Sequence, residues 1–210
     1  MSRRLGVLIS GRGSNLQSII DAIQRGEIQA TIAVVISDRP EAVGLLRAKE
    51  AGLETVCLRQ RDFDSREAFD TAVADALHAR AVNLVCLAGF MRLVGAPLLD
   101  AFPYRILNIH PSLLPAFPGL SAQQRALEYG VRVAGATVHL VTAELDGGPI
   151  VQQAAVPVLP DDTAERLSAR ILIEEHRLYP KAISLVLDGQ WRVEGRRFVV
   201  DAPARSSDSA

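Results

Sequence analysis

Three short stretches of this sequence hold residue types that can do chemistry. In Asn108-Ile109-His110-Pro111-Ser112 an amide and an imidazole stand two positions apart. On an extended strand that spacing points both side chains to one face. Asn offers neutral donors, and His exchanges a proton near neutral pH. The pair suits a reaction that builds charge on a carbonyl oxygen while an amine loses protons; the plain alternative is a histidine satisfied inside a polar loop. The second stretch is the glycine-rich turn Ser10-Gly11-Arg12-Gly13-Ser14-Asn15. Ahead of a helix, its backbone N–H groups and the positive helix end suit an anion, above all phosphate. No Gly-Lys-Ser/Thr follows, so it is not a nucleoside-triphosphatase loop. Leu16 stands where a dinucleotide fingerprint needs a small residue. A tight turn without a ligand is the alternative there. The third candidate is Asp146, in Glu144-Leu145-Asp146-Gly147-Gly148-Pro149. Beside His110 it would raise the histidine's proton affinity; alone it would be a turn residue bonding its own backbone. His78, His139 and His176 are weaker candidates. No His or Cys pair has metal-ligand spacing, so no metal is expected.

Elements able to position these residues follow from apolar periodicity. Strands are expected at Leu5–Ile9, Thr31–Ile36, Glu54–Leu58, Leu84–Ala88 and Ile106–Ile109; a helix with Leu16, Ile19, Ile20 and Ile23 on one face, stopped by Gly26, follows the loop 10–14, and others span 42–51 and 65–80. Ser65 is the expected cap of the third helix, with Ala68, Phe69, Ala72, Val73, Ala76 and Leu77 turned inward. Strands buried on both faces and alternating with helices predict a mostly parallel, doubly wound α/β sheet. After residue 110, Pro111, Pro115 and Pro118 stiffen a long loop. A helix over 122–129 follows, then strands over 136–141 and 150–156. A long helix over 163–187 comes next, with Ala164, Leu167, Ile171, Leu178, Ala182 and Leu185 at core spacing. A hairpin around Glu194-Gly195-Arg196 precedes a polar tail, 202–210, expected to be flexible. One domain over 1–201 is expected, with a nucleotide- and phosphate-binding half (1–110) and a second half (111–201).

Composition removes whole classes. Of 210 residues, 49% are hydrophobic and 22% charged, a globular ratio. A net charge of −1 argues against a nucleic-acid binder. Lys49 and Lys181 are the only lysines, so arginine dominates the basic residues. Genomic composition bias and anion binding both give that skew. Cys57 and Cys86 lie in apolar runs and read as buried, inert thiols of a reducing compartment. No run approaches the roughly 20 apolar residues of a membrane span, and the N-terminus lacks a signal-peptide pattern. A cytoplasmic protein is expected, with no nucleic-acid or membrane partner, as a monomer or weak homodimer.

The blocks LISGRGSNLQSII, FDSREAFD, LAGFMRLV, LNIHPSLLPAFPG, GATVHLVTAELDGGPI and EEHRLYP occur in that order. Together, over residues 4–190, they resemble the phosphoribosylglycinamide formyltransferases, folate-dependent enzymes of purine biosynthesis. The resemblance implies a twisted sheet with a Rossmann-like N-terminal part and a smaller C-terminal part. It implies formyl transfer from 10-formyltetrahydrofolate, a co-substrate, to the amine of 5-phosphoribosylglycinamide. Carried over by motif, Asn108, His110 and Asp146 form the catalytic group. Gly13, Ser14 and Asn15 hold the substrate phosphate. Glu175 contacts the ribose or glycinamide end, with Leu172, Ile173 and Glu174 alongside. Arg66, Met91, Arg92, Leu93, Val94 and Asn108, with the loop Thr142, Ala143, Glu144, Leu145 and Asp146, surround the folate. Protonated His110 and Asn108 would stabilise the oxyanion, and Asp146 would raise the pKa of His110 and organise a proton-carrying water. Where many relatives have a histidine after the proline loop, this chain has Ser121-Ala122-Gln123. The resemblance also suggests a cis Leu114–Pro115 bond.

Three other readings share these residues. A methionyl-tRNA formyltransferase would need a further C-terminal domain and a basic surface for tRNA, and the net charge of −1 does not suit it. A formyltetrahydrofolate deformylase carries the same catalytic blocks but adds an N-terminal domain; a first strand starting near residue 5 favours the transferase. A non-catalytic nucleotide-binding module could use the same fold.

Overall fold

The computed structural model describes residues 3–201; the expected tail, 202–210, lies outside the described residues. Strands β1 (Arg4–Ile9), β2 (Thr31–Ser37), β3 (Thr55–Cys57), β4 (Leu84–Leu87) and β5 (Ile106–His110) alternate with four helices. These are α1 (Ser14–Gln24), α2 (Val43–Glu50), α3 (Arg66–His78) and α4 (Ala96–Ala101). Then come α5 (Ala122–Tyr129), β6 (Val133–Leu140), β7 (Ile150–Pro157), α6 (Ala164–Asp188) and the hairpin β8 (Trp191–Glu194) and β9 (Arg197–Val200). They form one sheet in the order β3-β2-β1-β4-β5-β6-β7-β9-β8. β3 to β5 run parallel, β6 is antiparallel to both β5 and β7, and β9 joins β7 in parallel.

Period-2 alternation splits the core into two layers. Leu5, Val7 and Ile9 of β1 face α1, α2 and α6, whereas Leu8 faces α3 and α4. This is the doubly wound pattern that the apolar runs predict. Strand order reverses between β1 and β4, and the crevice beyond the strand ends at such a point is the usual ligand position. The loops after β1, β4 and β5 all open there. Tyr179 of α6 ties that end together: its buried hydroxyl is shared between the carbonyls of Leu87 (3.0 Å) and Leu107 (3.1 Å). Leu107 immediately precedes Asn108.

Local signals hold at many ends. Ser65 accepts from Ala68 N–H, Thr163 accepts from Arg166 N–H, and α5 and α6 stop at Gly130 and Gly189 in left-handed conformations. The Leu114–Pro115 bond is cis. Several expectations need correction. β5 extends one residue further and takes His110 into the strand. Ala68 is exposed, and the acidic Asp70 is buried in α3 instead. Its carboxylate accepts Gly95 N–H at the start of α4 (2.9 Å), so a polar group on the inward face is satisfied. Helix α4 itself, six residues, was not expected. Ala164 and Leu185 are only half-buried. Cys57 is exposed because β3 is a three-residue edge strand; Cys86, in central β4, is buried, and desolvation pushes its thiol up to about 12.

Candidate active site

Antiparallel register builds the polar cluster. Asn108 on β5 faces His139 on β6, and His110 faces Thr137. His139 Nδ1 lies 3.1 Å from the Leu140 carbonyl, which can only accept, so Nδ1 carries the proton. Its Nε2 then accepts from Asn108 Nδ2 at 3.1 Å. His139 therefore orients the amide. In the sequence it reads only as one alternating strand residue, and cross-strand register was the missing information.

His110 Nε2 donates to the Phe117 carbonyl at 2.9 Å, and its Nδ1 lies 3.4 Å from Asp146 Oδ2. Asp146 Oδ1 is 3.6 Å from His139 Nε2. Asp146 sits in a left-handed backbone (φ 50°), a conformation that Asp tolerates better than most non-glycine residues. Its Oδ2 accepts Gly119 N–H at 2.7 Å. Behind it, Gly148 is obligatory, because a Cβ there would meet the Leu140 carbonyl oxygen at 1.9 Å. Burial pushes the Asp146 carboxyl up, but the nearby imidazoles of His139 and His110 when they carry charge, and the Gly119 N–H bond, outweigh it and leave it below the usual carboxylate range.

The expected rise in the pKa of His110 is overturned. Burial lowers it, and the Phe117 carbonyl and Asp146, which raise it, do not compensate. The side chains of His110 and Asp146 are only 7% and 8% exposed, so desolvation dominates the charge effect. His110 rests neutral near pH 7.

A cleft of about 690 Å³ opens beside this cluster. It is lined by Asn108, His110, His139 and Asp146, by Arg66, Met91, Arg92, Leu93 and Val94, and by Thr142, Ala143, Glu144 and Leu145. Ser121 and Gln123 line it as well. Arg92 donates to the buried Asp38 carboxylate at 2.9 Å, and Arg66 lies 3.7 Å from Asp70. Asp38 and Asp70 were not legible in the sequence; each stands in an ordinary polar context, and only the fold buries it.

The glycine-rich turn lies next to the cleft rather than in it. Ser10 N–H donates to the Gly89 carbonyl (3.1 Å), and Ser10 Oγ accepts Met91 N–H (2.9 Å). Gly13 (φ 72°) starts α1, and a Cβ on it would meet Gly44 Cα at 2.5 Å. Asn15 Nδ2 donates to Glu175 Oε2 at 2.8 Å, while Asn15 Oδ1 is buried without a protein partner. Burial raises the Glu175 carboxyl, against the opposing pull of Asn15 and Arg12. The structure does not bring all of 172–175 to this turn. Ile173 is two residues, about 200° round a helix, from Glu175 and is exposed; Glu174 pairs with Arg177 at 2.8 Å. Leu172 is half-buried on the nearer side. Among the described residues, no group of three His, Cys, Asp or Glu side chains could hold a metal ion. No helix there is long and apolar enough to cross a membrane.

This open α/β sheet carries an amide, two imidazoles and a carboxylate at its strand ends, and residues 3–183 match the family described as formyl transferase, which makes the chain a group-transfer protein by class. The chain is 46% identical over 187 residues to the phosphoribosylglycinamide formyltransferase of Escherichia coli, covering 89% of this chain and 88% of that one. The solved glycinamide ribonucleotide transformylase 1 of Symbiobacterium toebii superposes with a TM-score of 0.94 at 59% identity, covering 96% and 95% of the two chains. The trifunctional purine biosynthetic protein adenosine-3 of Drosophila melanogaster is 46% identical over 189 residues, of which this chain spans only 14% of the length. The chain belongs to the formyl transferase family, among its phosphoribosylglycinamide formyltransferases.

Proposed function

We propose that the chain transfers the formyl group of 10-formyltetrahydrofolate to the primary amine of 5-phosphoribosylglycinamide, giving N-formylglycinamide ribonucleotide and tetrahydrofolate. The observation that carries this reading is the junction at Ser10. It joins an anion-suited helix N-terminus to a cleft, with Asn108, His110 and Asp146 lining the cleft wall. A phosphorylated amine and a bulky formyl donor need that division of space.

In this reading the α1 N-terminus at Gly13, Ser14 and Asn15 takes the phosphate, and the free Asn15 Oδ1 and Glu175 take donors of the ribose or glycinamide. The walls at 91–94 and 142–146 take the folate, and Arg66 faces its acidic end. Arg92, already held by Asp38, contributes mainly shape. The amine attacks the formyl carbon, and Asn108 Nδ2–H stabilises the developing oxyanion. Neutral His110 takes the proton that the amine sheds, and the imidazolium so formed meets Asp146. The proton then passes to the departing folate nitrogen as the intermediate collapses.

Incubation with glycinamide ribonucleotide and 10-formyl-5,8-dideazafolate tests the proposal. Deformylation that depends on the amine is the expected result. Hydrolysis without the amine would make the chain a deformylase, and binding without turnover would make it a nucleotide-binding module.

A further inference from the structure

The family match ends at residue 183, but the sheet continues into the β8–β9 hairpin. The base of that hairpin is fixed to the body. Trp191 Nε1 donates to the Val186 carbonyl at 2.9 Å, and its ring stacks on Phe198 with centroids 4.9 Å apart. The Arg105 guanidinium covers the same ring at 5.4 Å. β9 pairs with β7 at Ile150–Arg197, the first residue after the loop that carries Asp146.

The hairpin turn at Gly195 (φ 60°) presents Arg196 to that loop. Arg196 Nη2 donates to the Gly147 carbonyl at 2.6 Å, and Nη1 donates to Glu144 Oε2 at 2.9 Å. One planar fork thus spans the turn Glu144–Gly147 on both sides of Asp146. Among the described residues, no other side chain from outside the loop hydrogen-bonds to the backbone of 142–148. The loop's own tie is Gly147 N–H to the Glu144 carbonyl at 3.1 Å. Residues 143–145 are exposed, so packing does little to fix them. Displacement of this turn would carry Asp146, whose carboxylate is otherwise held by Gly119 N–H at 2.7 Å, away from His110 and His139.

We propose that Arg196 is a positioning residue: it latches the Asp146 loop from the C-terminal hairpin and so sets the carboxylate for the proton transfer at His110. The proposal rests on the formyl-transfer reading for its kinetic consequence. An exposed ion pair alone adds little stability. The fork's value is geometric, because it restrains a peptide plane, and a lysine could make only one of its two contacts at a time.

The test uses the full chain carrying Arg196→Ala, Arg196→Lys or Arg192→Ala. Arg192 removes the same charge from the same hairpin but pairs with Glu194 and Asp201, away from the loop. Arg196→Ala should lower kcat and raise the KM of the formyl donor, each roughly three- to tenfold. Its melting temperature should not change. The acidic limb of activity, set by His110, should move to lower pH as the Asp146 carboxylate that raises its proton affinity loosens. Arg196→Lys should recover part of the loss, and Arg192→Ala should match the wild type. Hydrogen exchange of the 142–149 segment should quicken in Arg196→Ala alone. Unchanged exchange there, or an equal change in Arg192→Ala, overturns the latch. A wild type without amine-dependent turnover overturns the formyl-transfer reading instead, and the exchange comparison still decides the latch.

Discussion

Asp146 Oδ2 lies 3.4 Å from His110 Nδ1 while accepting Gly119 N–H at 2.7 Å. The carboxylate is pinned by a backbone amide before it meets the imidazole. Because burial keeps His110 neutral, with its other nitrogen donating to the Phe117 carbonyl, the ion pair forms only when Nδ1 takes up a proton. The two residues thus form a proton acceptor whose charged state has a partner already in place.

Removing either member should act on turnover more than on binding. His110→Ala and Asp146→Asn should each lower kcat by roughly 10²- to 10⁴-fold, with modest changes in KM, as expected for an interaction made in the transition state. Steady-state kinetics of the folded variants measure this. Near-normal turnover in either would remove that residue from the proton path.

The pH dependence follows from the same pair. kcat/KM should rise with pH through a value below that of an ordinary histidine, since neutral His110 is the active form. The Asp146 charge raises the proton affinity of His110, so in Asp146→Asn the residual activity should have its acidic limb at still lower pH. Stability carries the same sign. A folded His110 that binds its proton more weakly than the unfolded chain makes stability rise with pH between the folded value and the ordinary one, and reach its full value above. Denaturant unfolding across that window should show a shallower pH slope in His110→Ala.

Much of this site is written in local pattern. Asn108 and His110 are legible because a strand has period 2, and the turn at 10–15 because glycines precede an apolar helical face. Ser65, Thr163, Gly130 and Gly189 mark helix ends by their own chemistry. What pattern could not supply is non-local. His139 joins the site through β5–β6 register, and Asp38 and Asp70 become buried carboxylates only when loops 89–95 close over them. The proton affinity of His110 depends on how completely the fold desolvates it, and reading only its charge partner gives the wrong direction. Cys57 looked buried because its neighbours are apolar, yet β3 lies at the sheet edge.

His139 should matter through Asn108. His139→Ala leaves a buried amide N–H without its acceptor, at a cost of about 1–3 kcal/mol, and frees Asn108 to turn away from the reacting carbonyl. The expected loss in kcat is roughly five- to hundredfold, smaller than for His110→Ala, with KM of the ribonucleotide little changed. His139→Gln, whose amide oxygen can accept from Asn108, should retain more activity. Equal losses in the two variants would show that the imidazole itself takes part in the chemistry.

Glu175 should separate stability from binding. Its carboxyl is raised by burial although Asn15 donates to it at 2.8 Å. A carboxyl raised on folding contributes fully below its ordinary value and loses that contribution as pH rises through the folded value. Above the folded value the chain buries a costly ionised group. Glu175→Gln keeps the shape and an acceptor for Asn15 while removing that charge. The variant should therefore melt higher than the wild type at neutral and alkaline pH, with the gap closing below the ordinary carboxyl range. If Glu175 receives donors of the ribonucleotide, the same change should raise its KM roughly tenfold and leave the KM of the formyl donor unaltered. A higher melting temperature with unchanged KM would place Glu175 in the scaffold, because only a ligand contact links its charge to affinity.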